Sequence, residues 1–232
     1  MIVSIHQPDY IPYPGLFYKM SQSEIFVFLD DAQFSSDNVH HWNKIKTPQG
    51  EFKLKIPVDY KFGQKINKVR TKDELGWKEK HLKTIEMNYK KAPYFEDFFP
   101  KFKEVLMKEY SSLAEQNIAI TTMIAGLLKI NVKFIKSSDM GIYTAREERV
   151  IDICKALDGT EYISGHGAKA YQVEENFTNR DLKLTYTDYK PVEYPQQWEK
   201  QSNRLINMSI IDYIFNCGYD FENIIKMVKG NE

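Results

Sequence analysis

His6-Gln-Pro-Asp-Tyr10 and the residues that follow, Pro12, Tyr13, Pro14 and Gly15, bring an imidazole, an amide, a carboxylate and two phenols into one short stretch. His6 closes an apolar run, Ile2-Val3-x-Ile5, and precedes a loop stiffened by three prolines, so its ring is expected to be held at a site. Such an imidazole can act as a general base, donate to a phosphate or ligate a metal. A buried histidine satisfied by the protein itself is the plainer alternative. Gln7 and Tyr10 belong to the same loop. Gly15, at the start of a helix, would let a backbone N–H approach an anion closely, and Lys19 one turn later could face it. The P-loop spacing Gly-x4-Gly-Lys-Ser/Thr is absent, and a rigid loop with no ligand is the alternative.

Four further groups carry possible chemistry. Asp30 and Asp31 end the apolar run Glu24–Leu29, with Gln33 beyond; Asp30 could orient His6 or bind a hard cation, or the pair could be a solvated turn. His40 and His41 are adjacent and, as strand neighbours, would face opposite ways, which disfavours zinc. Asn43 and Lys44, beside Trp42, could meet a nucleotide or sugar phosphate, or simply protect a strand edge. Ser164-Gly-His-Gly167 is not the Gly-x-Ser-x-Gly elbow of hydrolases, and reads as a turn where ligand meets backbone at Gly165. Tyr171, Tyr194, Gln196, Gln197 and Trp198 add stacking and amide groups. Cys154 lies on an apolar helix face and Cys217 near a helix end; neither suggests a thiol mechanism.

These residues need a frame. Residues 2–6 and 24–30 read as strands, the second buried on both faces. Residues 42–58 alternate around Thr47-Pro-Gln-Gly50 and read as a hairpin. Thr71-x-x-Glu74, Ser112-x-x-Glu115 and Thr144-x-x-Glu147 are capping boxes that announce helices. The Phe95–Leu106 stripe is core, with Pro100 expected to split it into two short helices. Strands return at 132–135, 162–165 and 182–186. Ser209 opens a helix that Gly218 stops, and Asp220 caps the last one. The sum is a single α/β domain over residues 1–232: a mostly parallel sheet with flanking helices, a helical insertion at about 74–128 and one β-hairpin. Ligands of such sheets bind beyond the carboxyl ends of the strands, where His6, Asp30 and Ser164 would converge if their strands are neighbours.

Composition narrows the function. The chain has 232 residues with 32 Lys+Arg against 32 Asp+Glu, which argues against nucleic acid as a partner. No apolar run reaches the length of a membrane span, so no membrane insertion is expected, and Met1–His6 does not read as a signal peptide. Two cysteines are too few for a disulfide framework, and a reducing cytoplasmic setting fits. Aromatics make up 14% of the chain, enough to line a ligand groove as well as a core. No cofactor and no oligomeric state follow from the residues.

Taken together, Ile5-His-Gln-Pro-Asp-Tyr-Ile-Pro-Tyr-Pro-Gly15, Phe28-Leu-Asp-Asp-Ala-Gln33, Asn43-Lys-Ile-Lys-Thr-Pro-Gln-Gly50, Ile56-Pro-Val58, Tyr162-Ile-Ser-Gly165, Ala168-Lys-Ala-Tyr171 and Ser209–Gly218 resemble the WbqC-like proteins over nearly the whole chain. Lys44 stands where that family often has arginine, which would weaken bidentate anion binding. The resemblance implies a role in bacterial surface polysaccharides such as O-antigen, with an acyl or aminoacyl group, glycyl among them, transferred to a nucleotide-activated amino sugar. On that reading His6 is the base for the sugar amine, Gly15 and Lys19 hold phosphate with Asn43 and Lys44 in support, and the partners are a sugar nucleotide and an acyl donor. An ATP-dependent amide-forming or nucleotidyl-transfer enzyme is one alternative. A non-catalytic binding module of a glycan-assembly complex is another.

Overall fold

The structure, a computed structural model, describes residues 1–230. Its elements in chain order are β1 (Ile2–His6), α1 (Pro14–Ser21), β2 (Ile25–Phe28), β3 (Trp42–Thr47), β4 (Gly50–Lys55), β5 (Val58–Asp59), β6 (Arg70–Thr71), α2 (Trp77–Tyr89), α3 (Phe95–Leu106), α4 (Leu113–Leu127), β7 (Lys133–Lys136), α5 (Arg146–Ala156), β8 (Glu161–Ser164), α6 (Glu174–Thr178), β9 (Lys183–Tyr186), α7 (Ile210–Cys217) and α8 (Phe221–Lys229). Five strands form one all-parallel sheet in the order β7-β2-β1-β8-β9. The first strand is central: the chain builds outward through β2 to β7, then crosses to β8 and β9 on the other side. The reversal between β1 and β8 is the place where a doubly wound sheet binds its ligand.

The continuous apolar run of β2 is explained by burial on both faces. Phe26 and Phe28 pack into the larger core, with Phe17, Met20 and the helices of the insertion. Ile25 and Val27 join Val3, Ile5, Ile153, Cys154 and Phe177 in the smaller core on the opposite face. Alternation along a strand sends successive side chains to opposite sides, so each needs an apolar partner when helices cover both faces. The hairpin β3–β4 pairs Trp42 with Lys55 and Thr47 with Gly50, and Gly50 sits at φ 107° where the turn needs glycine.

Three local expectations are corrected. Pro100 does not split α3, which runs unbroken. The proline removes one backbone bond, while Phe95 and Phe98 both pack on the Phe215 ring and carry the helix across the defect. Thr71 lies in β6 and its hydroxyl meets Asp73 Oδ1 at 2.6 Å, so α2 starts later, after Gly76 at φ 60°. Thr144 donates instead to Asp152 Oδ2 at 2.7 Å, and Glu147 is drawn to Val173 N and Asn176, so α5 starts at Arg146 without a side-chain cap. Ser112, Ser209 and Asp220 do cap α4, α7 and α8. Among the described residues no helix is long and apolar enough to cross a membrane.

Candidate functional site

At the reversal between β1 and β8 the carboxyl ends of the strands open into a cleft of about 870 Å³. Its floor is Ile5, His6 and Lys19. One wall is Ser164–Ala168 after β8, with Tyr171 and Gln172; another is Arg146, Glu147 and Val150 of α5; Tyr13 and Tyr189 close the third side. Among the sites expected from sequence, the structure brings His6, Gln7, Lys19, Ser164, Gly165 and Tyr171 together here.

His6 is held from both sides. Its Nε2 lies 3.0 Å from Asp9 Oδ2, and the other Asp9 oxygen lies 2.9 Å from Nδ1 of the buried His40. Its Nδ1 lies 3.5 Å from Lys19 Nζ, which also donates to the Ile5 carbonyl at 3.0 Å. Burial alone would raise the Asp9 pKa, but the hydrogen bonds from His40 and His6 outweigh it and hold the carboxyl at about 2. Burial, then the Lys19 charge, lowers His6 below its ordinary 6.5 in spite of Asp9. Lys19 is 3% exposed and forms no ion pair among the described residues; burial brings its amine down from 10.5 to about 8 against the pull of Asp9. The cleft floor therefore holds a neutral imidazole and an amine poised near neutrality, with a fixed carboxylate on the other side of the imidazole.

The loop that places Asp9 is clamped at nearly every carbonyl. Asn117 Nδ2 donates to Pro8 O at 3.0 Å, Asn43 Nδ2 to both Tyr10 O and Ile11 O at 3.0 Å, and Ser209 Oγ to Ile11 O at 2.6 Å. The Ile210 N–H reaches Pro12 O at 2.8 Å. Ile11, a β-branched residue, sits at φ 37°, a conformation that costs on the order of 1–3 kcal/mol. Three separated parts of the chain hold the loop in a shape it would not choose, and that shape puts Asp9 between His6 and His40.

The remaining expected residues lie elsewhere. Asp30 is not the carboxylate on His6: its oxygens accept from Ser137 Oγ, the Ser138 backbone and hydroxyl, and Asn67, tying β2 to the turn after β7. Asp31 pairs with Arg149, and Gln33 is exposed beside Lys65. Tyr10 is buried, its hydroxyl 3.0 Å from His81 Nδ1. Asn43 is occupied with the loop, and Lys44 pairs with Glu51 at 2.8 Å. Gln196 Nε2 donates to Asp212 Oδ2 and to Leu205 O inside the core, where Tyr89 and Tyr194 also donate to Asp212. Gly15 has a packing reason: a Cβ there would stand 2.3 Å from Tyr13 Cε2 and 2.6 Å from Tyr189 Cδ1. Those two rings meet edge to face at 5.7 Å and form the wall between the cleft and a second groove that Asp9, Trp42 and Asn207 help to line.

Sequence reasoning passed over Asp9, His40, Arg146, Tyr13 and Tyr189 as site residues. The signal for Asp9 was present in its position three residues after His6 in a proline-stiffened loop. His40, Arg146 and Tyr189 are distant in sequence and carry no such signal. Among the described residues, no three His, Cys, Asp or Glu side chains cluster as metal ligands.

Comparison with known proteins agrees with this picture at the level of the family. No solved structure matches the chain. A protein of Mycobacterium tuberculosis (strain ATCC 25618 / H37Rv), described as "Uncharacterized protein Rv1507c", is 28% identical over 231 residues, covering 98% of both chains. The WbqC-like protein family matches residues 7–224, from the loop that holds His6 to the last helix, and the chain belongs to that family.

Proposed function

We propose that this protein is a transferase that moves an acyl or aminoacyl group onto the amine of a nucleotide-activated amino sugar, in the making of bacterial surface polysaccharide. The observation that carries the reading is the row Lys19, His6 and Asp9, with Lys19 and His6 on the floor of a cleft at the sheet's reversal and Asp9 bonded to the imidazole from the neighbouring groove. In amide formation the acceptor nitrogen attacks the donor carbonyl carbon, the C–N bond forms, and the leaving group departs with its bonding pair. The nitrogen must also lose a proton, and a base with a pKa near the working pH is the most effective acceptor. Lys19, partly unprotonated near neutral pH, takes that proton, and His6 Nδ1 stands next to it to relay it to the leaving group, which accepts it on its departing pair. Asp9 stays ionised, so its part is to orient the ring and stabilise the imidazolium.

The test is an amide-forming assay with the purified chain, a nucleotide-linked amino sugar, and either an acyl thioester or an amino acid with ATP. Mass spectrometry should find the N-acylated sugar with wild type and not with His6→Gln or Lys19→Met. Equal turnover by both variants would sink the reading. Release of AMP or pyrophosphate with the amide would assign the ATP-dependent route.

A further inference from the structure

We infer that the outer half of the cleft is a nucleoside-diphosphate subsite, with the diphosphate between the Arg146 guanidinium and the bare backbone of Gly165–Gly167, and the base on the Tyr171 ring. This rests on the transferase reading and supplies the place for the nucleotide half of its acceptor. Three independent features converge on it.

The first is Arg146. It begins α5 at φ 56°, a left-handed conformation that a side-chain-bearing residue adopts at a cost, and its exposed guanidinium makes no hydrogen bond or ion pair among the described residues. A strained residue with an unused charge on a cleft wall fits a ligand anion, and the planar guanidinium matches the paired oxygens of a phosphate.

The second is the pair Gly165 and Gly167, which line the same cleft. Neither has a positive φ, and a Cβ on either would meet nothing within 4 Å. Nothing in the protein's own packing requires glycine there. Bare backbone where side chains would fit leaves the space to something that is not protein, and diphosphate binding at glycine-rich turns works this way.

The third is Tyr171, whose ring is 73% exposed and stacks on no other ring among the described residues although it lines the cleft. An open aromatic face beside an anion site suits a nucleobase. Glu147 fixes this wall to the arginine: its carboxylate accepts from Val173 N at 2.8 Å and from Asn176 Nδ2, which ties the first turn of α5 to the segment after Tyr171.

The experiment is calorimetric titration of the full chain with uridine 5′-diphosphate, adenosine 5′-diphosphate, uridine and inorganic pyrophosphate. At least one diphosphate should bind wild type, with the nucleoside and pyrophosphate about tenfold or more weaker, since each makes only part of the contacts. Gly165→Ala and Gly167→Ala should keep the wild-type unfolding temperature, because the added methyl has room, yet lose nucleotide affinity by about tenfold or more because it occupies the diphosphate's space. Arg146→Gly suits φ 56° and so folds without strain, and it should lose affinity similarly. Tyr171→Ala should weaken the nucleotide and leave pyrophosphate unchanged, while His6→Gln should leave nucleotide affinity intact. Wild-type nucleotide affinity in the two alanine variants and Arg146→Gly would overturn the subsite, and so would the absence of binding to wild type. The amide-forming assay, run with nucleotide-linked and free amino sugars, shows separately whether the transferase reading survives.

Discussion

Asn43 on β3 holds Ile11 in its left-handed conformation: the one side-chain amide donates to Tyr10 O and Ile11 O, both at 3.0 Å, and its own carbonyl accepts the Lys44 N–H at 2.8 Å. The residue that looked from sequence like a ligand contact is instead the clamp on the loop that presents Asp9. Asn43→Ala would leave the Tyr10 carbonyl without its side-chain donor and Ile11 O held by Ser209 Oγ alone, in a strained loop. The expected cost is about 1–3 kcal/mol, read as a lower urea midpoint with an unchanged slope. A loss under 0.5 kcal/mol would mean that the loop does not need the clamp.

Asp9 raises the His6 pKa both by its hydrogen bond and by its charge, against the larger lowering by burial. Asp9→Asn should therefore move the His6 titration further down, visible by NMR of the imidazole. The carboxyl itself titrates low in the folded chain, at about 2 from 3.8, so its stabilising contribution is complete above the unfolded value and is lost as pH falls through that window. In Asp9→Asn the acid-induced loss between about pH 4 and 2 should be smaller than in wild type.

Lys19 has a dependence of the same sign in a more alkaline window. Its folded pKa of about 8 lies below 10.5, so between these values the unfolded chain binds more protons and stability rises with pH. The stability difference between wild type and Lys19→Met should move in favour of wild type across this window, by on the order of 3 kcal/mol at most. Denaturation of both proteins at pH 7 and pH 10 measures it. On the transferase reading, turnover of the wild type should also climb toward pH 8.

Gly15→Ala should destabilise although alanine favours helices by roughly 1 kcal/mol over glycine. The new methyl would push on Tyr13 and Tyr189 together, at an expected cost of about 1–3 kcal/mol. With both tyrosines replaced by alanine, the same change should become neutral or favourable. A double-mutant series of thermal melts distinguishes this from a helix effect.

Gln196→Ala should behave as a core mutation. It removes a donor from buried Asp212, whose pKa burial raises despite three side-chain donors, and stability should fall by about 1–3 kcal/mol with no change in ligand affinity.

Much of the frame was legible in order and pattern. The apolar runs 2–6 and 24–29, the returning strands near 132, 162 and 182, and the caps at Ser112, Ser209 and Asp220 are local signals, and local backbone preferences suffice to read them. Pro100 was misread because the aromatic packing that carries α3 through it comes from α7, more than a hundred residues away in the chain.

The amino-acid sequence by itself determined the parallel α/β class, the position of His6 at a strand end and the stiffness of the loop after it, since alternation, burial and proline geometry act between near neighbours. Only the tertiary structure decided which carboxylate meets His6. Asp9 and Asp30 both follow strand ends. The chain's return through Asn43, Asn117 and Ser209 bends the first loop back onto the imidazole, whereas Ser137 and Ser138 draw Asp30 toward β7. That choice depends on hydrogen bonds between residues far apart in sequence, and strand spacing carries no record of them.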